Sequence, residues 1–258
     1  MASARSLAAN YLELAKARLG ALVVLTALVG YVLGAGDELS LSVGLAAVVG
    51  TALSAFGANI LNQWWEVERD RRMLRTRSRP LPAGRVDRRL ALVSGLVTAL
   101  AGLLVLAAGT NLLTTLLSLF VILLYVLVYT PLKVRTPLNT VVGAVCGAVP
   151  PMMGWSAATG GLEAGAWILG GLLFVWQIPH FLALAWLYRE DYARGGFRML
   201  PSIDLEGRLT GRVAFIWAAA LLPVTAALSV AGVTGGVFLA ASQIVGVAFL
   251  ALGWVFLR

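Results

Sequence analysis

Asn62, Glu66 and Asp70 recur every four residues at the end of a long apolar run. On a continuing helix that spacing stacks three oxygen-bearing side chains on one face. Arg75, Arg77 and Arg79 follow at once, and Pro80 and Pro82 close the segment. Such a set suits Mg²⁺ bridging a polyphosphate. Carboxylates take the hard ion, and guanidinium forks take phosphate oxygens in pairs. The plainer alternative is a solvated basic loop whose acids only pair with arginines. It accounts for the charge balance, but not for Asn62 and Glu66 at the mouth of an apolar helix, where polar groups are expensive unless used.

A second segment, YREDYARGGFRMLP from Tyr188 to Pro201, is similar in kind. Glu190 and Asp191 are candidates for a second Mg²⁺, and Arg189, Arg194 and Arg198 for phosphate. Gly195-Gly196 allows a tight turn. Taken alone, this segment is equally well a solvated loop. The connection YTPLKVRTPLN places Lys133 and Arg135 where they either close a phosphate site from a third direction or simply anchor the chain. His180, the single histidine, follows Pro179 in WQIPHF. Pro179 should kink its helix. An intramembrane histidine is costly unless it faces a cavity. Contact with a substrate cavity is expected, and ligation of a haem iron is one form of it; the other reading is a bond to a carbonyl freed by the kink. Tyr125, Tyr129, Trp64, Trp65, Trp155, Trp176 and Trp186 lie mostly at helix ends, as an interfacial belt does. One or two of them could face the cavity and steady a carbocation with a ring face.

The elements that must position these residues are membrane helices. Of 258 residues, 60% are hydrophobic and only 12% charged, which excludes a soluble domain. The excess of base, 20 against 12, fits positive loops on one side of a membrane better than nucleic-acid binding. Cys146 is the only cysteine, so no disulfide forms within the chain. No cleavable signal peptide is expected. Spans are expected at 19–36, 42–61, 90–108, 112–130, 138–157, 165–187, 212–232 and 235–256, each near the roughly 20 apolar residues a crossing needs. Eight spans put all twenty Lys and Arg, Arg258 included, on one side, while Asp37, Glu38 and Glu163 lie opposite. By the positive-inside rule both termini and both acidic segments face the cytoplasm. Glu66, Asp70 and Leu81-Pro82 after the second span are echoed by Glu190, Asp191 and Leu200-Pro201 after the sixth. That echo predicts two parallel four-helix repeats, with both acidic segments over one central cavity.

Three runs carry a resemblance: NQWWEVERDRRMLRTRSRPLPAGR, YTPLKVRTPLNTVVGAVCGAVPPMMGWSAATG and WQIPHFLALAWLYREDYARGGFRMLP. The chain resembles the UbiA-type intramembrane prenyltransferases, and within them the haem-farnesylating branch. The resemblance implies a single domain over 1–258, an all-α bundle around a central cavity. It implies Mg²⁺-dependent transfer of the farnesyl group of farnesyl diphosphate to a vinyl group of haem B. Water adds, giving haem O, the precursor of haem A. It places Asn62, Glu66 and Asp70 in the first Asp-rich motif and Glu190 and Asp191 in the second. Arg75, Arg79, Lys133, Arg135, Arg189 and Arg194 become diphosphate donors, and His180 and Tyr129 face haem or cavity. It further implies contact with membrane lipids and with haem A synthase or terminal oxidase assembly. The chain departs from the pattern in places. Gln63 and Glu66 stand where aspartates are usual, so Glu66 is expected to ligate and Gln63 not to. The second motif lacks widely spaced aspartates, Val134 replaces a basic residue, and eight spans are counted where nine are usual. The rival readings are prenylation of an aromatic quinone precursor and, from another class, a haem or lipid transporter. A transporter should carry ionisable groups near the midplane, whereas here the acids gather at one surface.

Overall fold

The computed structural model describes residues 4–257, and every regular element among them is helical. A short helix α1 (Ala4–Leu14) leads into α2 (Ala17–Ala35), α3 (Leu41–Asp70) and α4 (Arg88–Gly109). The next span, Leu112–Leu132, is built from α5 (Leu112–Leu123), a π-helical turn (Leu124–Tyr129) and α6 (Thr130–Leu132). Then come α7 (Asn139–Thr159), α8 (Ala164–Leu187), two short helices α9 (Arg189–Arg194) and α10 (Leu200–Ile203), α11 (Arg208–Val230) and α12 (Gly236–Leu257). Eight of these are long and apolar enough to cross a membrane. Seven of them fall within a few residues of the expected spans, while α3 runs nine residues past the expected end at 61; Arg258 lies outside the described residues.

Helices are the form a chain this apolar must take, because each satisfies its backbone internally where no water can. Polar caps mark where they meet water. Asp87 accepts the amides of Arg89 and Leu90 at the start of α4, and Asn111 accepts that of Thr114 at the start of α5. Helix α3 is 30 residues, about 45 Å at helical rise, longer than the hydrocarbon is thick. Its apolar stretch therefore continues unbroken into the acidic segment, and the expected face of Asn62, Glu66 and Asp70 is a helix face. The second acidic segment, expected as a loop, is instead folded into α9 and α10.

Each half packs its spans in chain order, α2–α3–α4–α5 and α7–α8–α11–α12, and α2 lies against α7. Close approach needs small residues, since lipid offers no hydrophobic drive for helices to associate. At the α2–α7 crossing, a Cβ on Gly154 would stand 1.8 Å from the Ala27 carbonyl oxygen; at α3–α4, one on Gly57 would stand 2.4 Å from the Ala99 nitrogen. Between them the packed helices leave a central, partly open cavity of about 170 Å³, with walls from α2, α3, the α5 span, α7 and α8.

Gly154→Ala must push α2 from α7 and should cost about 1–3 kcal/mol, the scale of core overpacking. Gly171→Ala, whose Cβ would meet nothing within 4 Å, should cost nothing measurable. Thermal unfolding of the two variants in detergent checks the difference.

Candidate active site

The last three turns of α3 carry the polar face. Asn62 is fully buried. Its Nδ2 donates to Glu66 Oε2 and to Thr130 Oγ1, each at 3.0 Å. Its Oδ1 accepts the Lys16 ammonium at 2.8 Å and the Tyr125 hydroxyl at 3.4 Å. Glu66, 5% exposed, is met by the Lys133 ammonium at 2.7 Å on Oε1 and 3.0 Å on Oε2. Asp70, 1% exposed, accepts the Arg79 guanidinium at 2.9 Å on Oδ2. Buried charge survives only when paired. Here each buried carboxylate of α3 has its own cation, and each cation comes from a different part of the chain.

Those cations are aimed by backbone features. Lys16 sits in the left-handed region, φ 51°, between α1 and α2, a conformation that L-residues with a Cβ rarely adopt. Two side chains of α3 hold the turn there. Gln63 Nε2 donates to the carbonyls of Leu14 at 2.6 Å and Glu13 at 3.3 Å, and Asn59 Nδ2 to that of Ala15 at 3.1 Å. Burial, with the nearby charges of Arg79 and Lys133, lowers the Lys16 pKa to about 7. Burial acts the same way on Lys133, but the Glu66 carboxylate, helped by Tyr129 and Tyr125, more than offsets it and holds that pKa above its ordinary value. Lys133 follows the π-helical turn, in which both the amide and the hydroxyl of Thr130 bond the Tyr125 carbonyl. The widened turn stacks Tyr125 on Tyr129, ring centroids 5.3 Å apart, and Lys133 lies 4.8 Å over the Tyr129 ring. Gly143 leaves room for that ring, since a Cβ there would stand 2.8 Å from it.

The second acidic segment enters differently from the first. Asp191 is buried and accepts the amides of Leu74 at 2.8 Å and Arg75 at 3.1 Å, so it braces the loop that follows α3. Arg69 Nη1 donates to the Gly195 carbonyl, which ties the two acidic segments further, and the Arg198 amide donates to the Lys133 carbonyl, which ties the second segment to the Lys133 connection. Glu190 is not brought to the site: its side chain is 79% exposed and faces Arg194. Arg75 turns outward over the rings of Tyr188 and Tyr192, and with Arg189 and Arg194 it lines a separate shallow pocket. Arg135 is exposed. Of the six expected phosphate donors, the structure therefore gathers Arg79 and Lys133 around the carboxylates and leaves Arg75, Arg135, Arg189 and Arg194 on the rim.

Beneath this polar mouth lies the central cavity, lined by Asn59 and Tyr125 and otherwise mostly by apolar side chains such as Val23, Pro150 and Phe181. His180 does not line it. The imidazole stacks on Trp176 at 4.9 Å, on the neighbouring face of α8. Lys16, Asn59, Gln63, Tyr125 and Thr130 belong to the site and were not singled out for it by spacing. Asn59 and Gln63 carried the one usable signal, being amides on the same apolar helix as Asn62.

Among the described residues no three acidic, histidine or cysteine groups converge as a metal cage. What converges is one carboxylate, Glu66, with the Asn62 carbonyl, and Asp70 one turn on. Glu66 Oε1 makes no well-formed hydrogen bond and is met only by the Lys133 ammonium. That donor set fits Mg²⁺, which takes one or two carboxylates and completes its shell with water and substrate phosphates. The arrangement can hold a phosphorylated head at the membrane surface with its apolar remainder in the cavity below.

The model of the UbiA prenyltransferase family matches residues 23–258. The chain is 40% identical over 253 residues to a protoheme IX farnesyltransferase of Solibacter usitatus, covering 95% of this chain and 87% of that protein. It is 46% identical over 241 residues to one of Anaeromyxobacter sp., covering 93% and 81%. Among solved structures, a UbiA homologue from Aeropyrum pernix superposes with a TM-score of 0.75 at 18% identity, covering 93% of this chain and 90% of that one. An Archaeoglobus fulgidus UbiA homologue bound to GPP and Mg²⁺ superposes at 0.64 and 17%, covering 96% and 99%. At such identities the structural likeness speaks for the fold.

Asp191→Ala should free the Leu74 and Arg75 amides and loosen residues 71–87 without unfolding the spans. Hydrogen exchange should speed at those two amides by about tenfold, the scale of one lost charge-assisted bond. Glu190→Ala should leave that exchange unchanged.

Proposed function

The chain belongs to the UbiA prenyltransferase family, and on that premise we propose that it transfers the farnesyl group of farnesyl diphosphate to a vinyl group of haem B, with addition of water, to give haem O and diphosphate. The observation that carries this reading is the buried Asn62–Glu66–Asp70 face, ringed by Lys16, Lys133 and Arg79, directly above an apolar cavity. The identity to enzymes named for farnesyl transfer to protohaem, over most of the chain, supports the choice of donor and acceptor.

The chain's own groups divide the work. An allylic diphosphate ionises readily once its developing negative charge is met. Lys133 and Arg79 are cations already held at the site by buried partners, and Lys16, whose pKa burial lowers to about 7, sits where an arriving phosphate favours its charged form. As substrate phosphates arrive, the ammonium groups shift from Asn62 and Glu66 toward phosphate oxygens and release those oxygens as ligands. Mg²⁺ held by Glu66, Asn62 and Asp70 would supply further neutralisation of the leaving group. Asp191 acts one step back, by fixing the backbone of the loop that carries Arg79. Arg75, Arg189 and Arg194 on the rim draw the anionic head in from solvent. Below, the cavity keeps bulk water from the farnesyl cation until the vinyl carbon attacks, and Tyr125, which lines that cavity and stacks on Tyr129, offers a ring to the cation. Haem, like the farnesyl tail, is lipophilic and approaches from the bilayer; the His180–Trp176 pair on the outer side of α8 offers it a flat ring face. Basic residues concentrate on the side of this mouth, which we assign to the cytoplasm.

Purified protein given farnesyl diphosphate, haem B and Mg²⁺ should yield a haem heavier by one farnesyl group and one water, read by mass spectrometry. Chelation with EDTA should abolish it. Glu66→Gln and Asp70→Asn should each lower turnover by about a hundredfold or more, the scale of a lost transition-state charge partner, whereas Glu190→Ala should stay within about twofold. Haem B unchanged, with a quinone precursor prenylated in its place, would overturn the acceptor. Haem or lipid moved across vesicles without diphosphate release would overturn the enzyme.

A further inference from the structure

Gln177 is a buried amide that the diphosphate site does not use. It is 6% exposed, lies just past the middle of α8, and lines the central cavity together with Asn59 and Tyr125. Its Nε2 donates to the Leu173 carbonyl at 3.0 Å, which fixes which way the amide faces. Its Oε1 has no hydrogen-bond partner among the described residues. The amide lies directly over Gly147 of α7: a Cβ there would stand 2.0 Å from Oε1 and 2.4 Å from Nε2. The two helices are therefore shaped to seat this side chain at the cavity wall. An amide oxygen left unmet at membrane depth is costly, and a seat built for it needs a use.

The cavity supplies one. At about 170 Å³ it is far larger than the roughly 10–15 Å³ that a single water requires. Asn59 is already bonded to the Ala15 carbonyl and to the Tyr125 hydroxyl, which also reaches Asn62, so of the amides lining this cavity Gln177 offers the free acceptor. The proposed reaction, on which this inference rests, consumes one water in a chamber that otherwise excludes it. The farnesyl C1–O bond breaks and its electron pair leaves with diphosphate. The vinyl π pair forms the bond from the terminal vinyl carbon to C1. The inner vinyl carbon then carries the positive charge. A lone pair of water closes on that carbon, and one water proton passes to the released diphosphate. If no water is held there, the cation instead sheds a proton from the adjacent carbon and ends as an alkene.

We infer that Gln177 is the residue that positions this water: Oε1 accepts one O–H, turning a lone pair toward the inner vinyl carbon. An amide orienting an attacking water is an established device where no strong base is needed. The role is specificity for the hydrated product rather than speed of ionisation.

The test compares wild type, Gln177→Leu, Gln177→Glu and Gly147→Ala as full-length protein with farnesyl diphosphate and haem B. Two quantities are read: consumption of farnesyl diphosphate, and the ratio of hydroxylated to dehydrated farnesyl-haem by mass spectrometry. Gln177→Leu should consume farnesyl diphosphate within about threefold of wild type while the ratio falls by about tenfold, the worth of one positioning hydrogen bond. Gln177→Glu, which keeps an acceptor oxygen, should restore the ratio. Gly147→Ala, which displaces the amide, should lower it. An unchanged ratio in Gln177→Leu overturns the inference. Loss of farnesyl diphosphate consumption in folded Gln177→Leu also overturns it, because a group acting on water works after ionisation. Wild-type protein that forms neither product overturns the proposed function, and this inference with it.

Discussion

Two carboxylates, Glu66 and Asp70, lie buried where a membrane helix meets water, and the rest of the structure answers to them. Leaving either end of a buried pair alone costs about 3–5 kcal/mol. Glu66 is therefore matched by Lys133 and Asp70 by Arg79. Each match constrains a distant stretch of chain. Lys133 must follow a π-helical turn that swings it inward, and that turn is stabilised by Thr130, itself bonded to Asn62. Arg79 must lie nine residues beyond Asp70 on a loop folded back over the helix end, and Asp191 on the other half of the molecule holds that loop by its amides. The network therefore closes the two halves over one mouth. Stability alone would favour an apolar replacement for such a network; a site that must meet arriving phosphate charge needs it.

Much of this was legible in the sequence because bilayer physics leaves few choices. Apolar runs of membrane length gave eight spans, and the one-sided placement of Lys and Arg supported that count. The four-residue spacing of Asn62, Glu66 and Asp70 gave their common face, and α3 does continue through them. The acids' partners were less legible, because they depend on contacts far apart in the chain. Six basic residues were equally plausible phosphate donors by position. Whether a side chain turns in, like Arg79, or out over Tyr188, like Arg75, is decided by packing between loops. Lys16 was hidden for a different reason. Its role comes from a left-handed backbone turn held by Asn59 and Gln63, and nothing in the residue types around it signals that conformation.

The echo between the two acidic segments was real at the level of topology and misleading at the level of chemistry. Both segments follow the second span of their half and meet over the same mouth. Yet Asp70 faces a guanidinium in the site, whereas Asp191 spends both oxygens on backbone amides and Glu190 faces solvent. Duplicated elements need not keep duplicated roles. Once one copy holds the ligand face, the other is free to become the brace that holds it still, and a loop carrying a catalytic cation gains most from such a brace.

The division between mouth and cavity follows from dielectric. Charge is gathered at the mouth, where Lys133 and Arg79 keep theirs beside buried carboxylates, and the chamber below is apolar enough for a carbocation to outlast its formation. Polar groups deeper than Asn62 are correspondingly few, and each one inside the chamber has to be accounted for. Asn59 and Tyr125 are accounted for by their bonds toward Ala15 and Asn62. Gln177 is held by one half of its amide and open at the other. In a chamber whose chemistry depends on excluding water until one molecule is wanted, a fixed amide acceptor in a mostly apolar wall is a means by which exclusion and hydration can coexist.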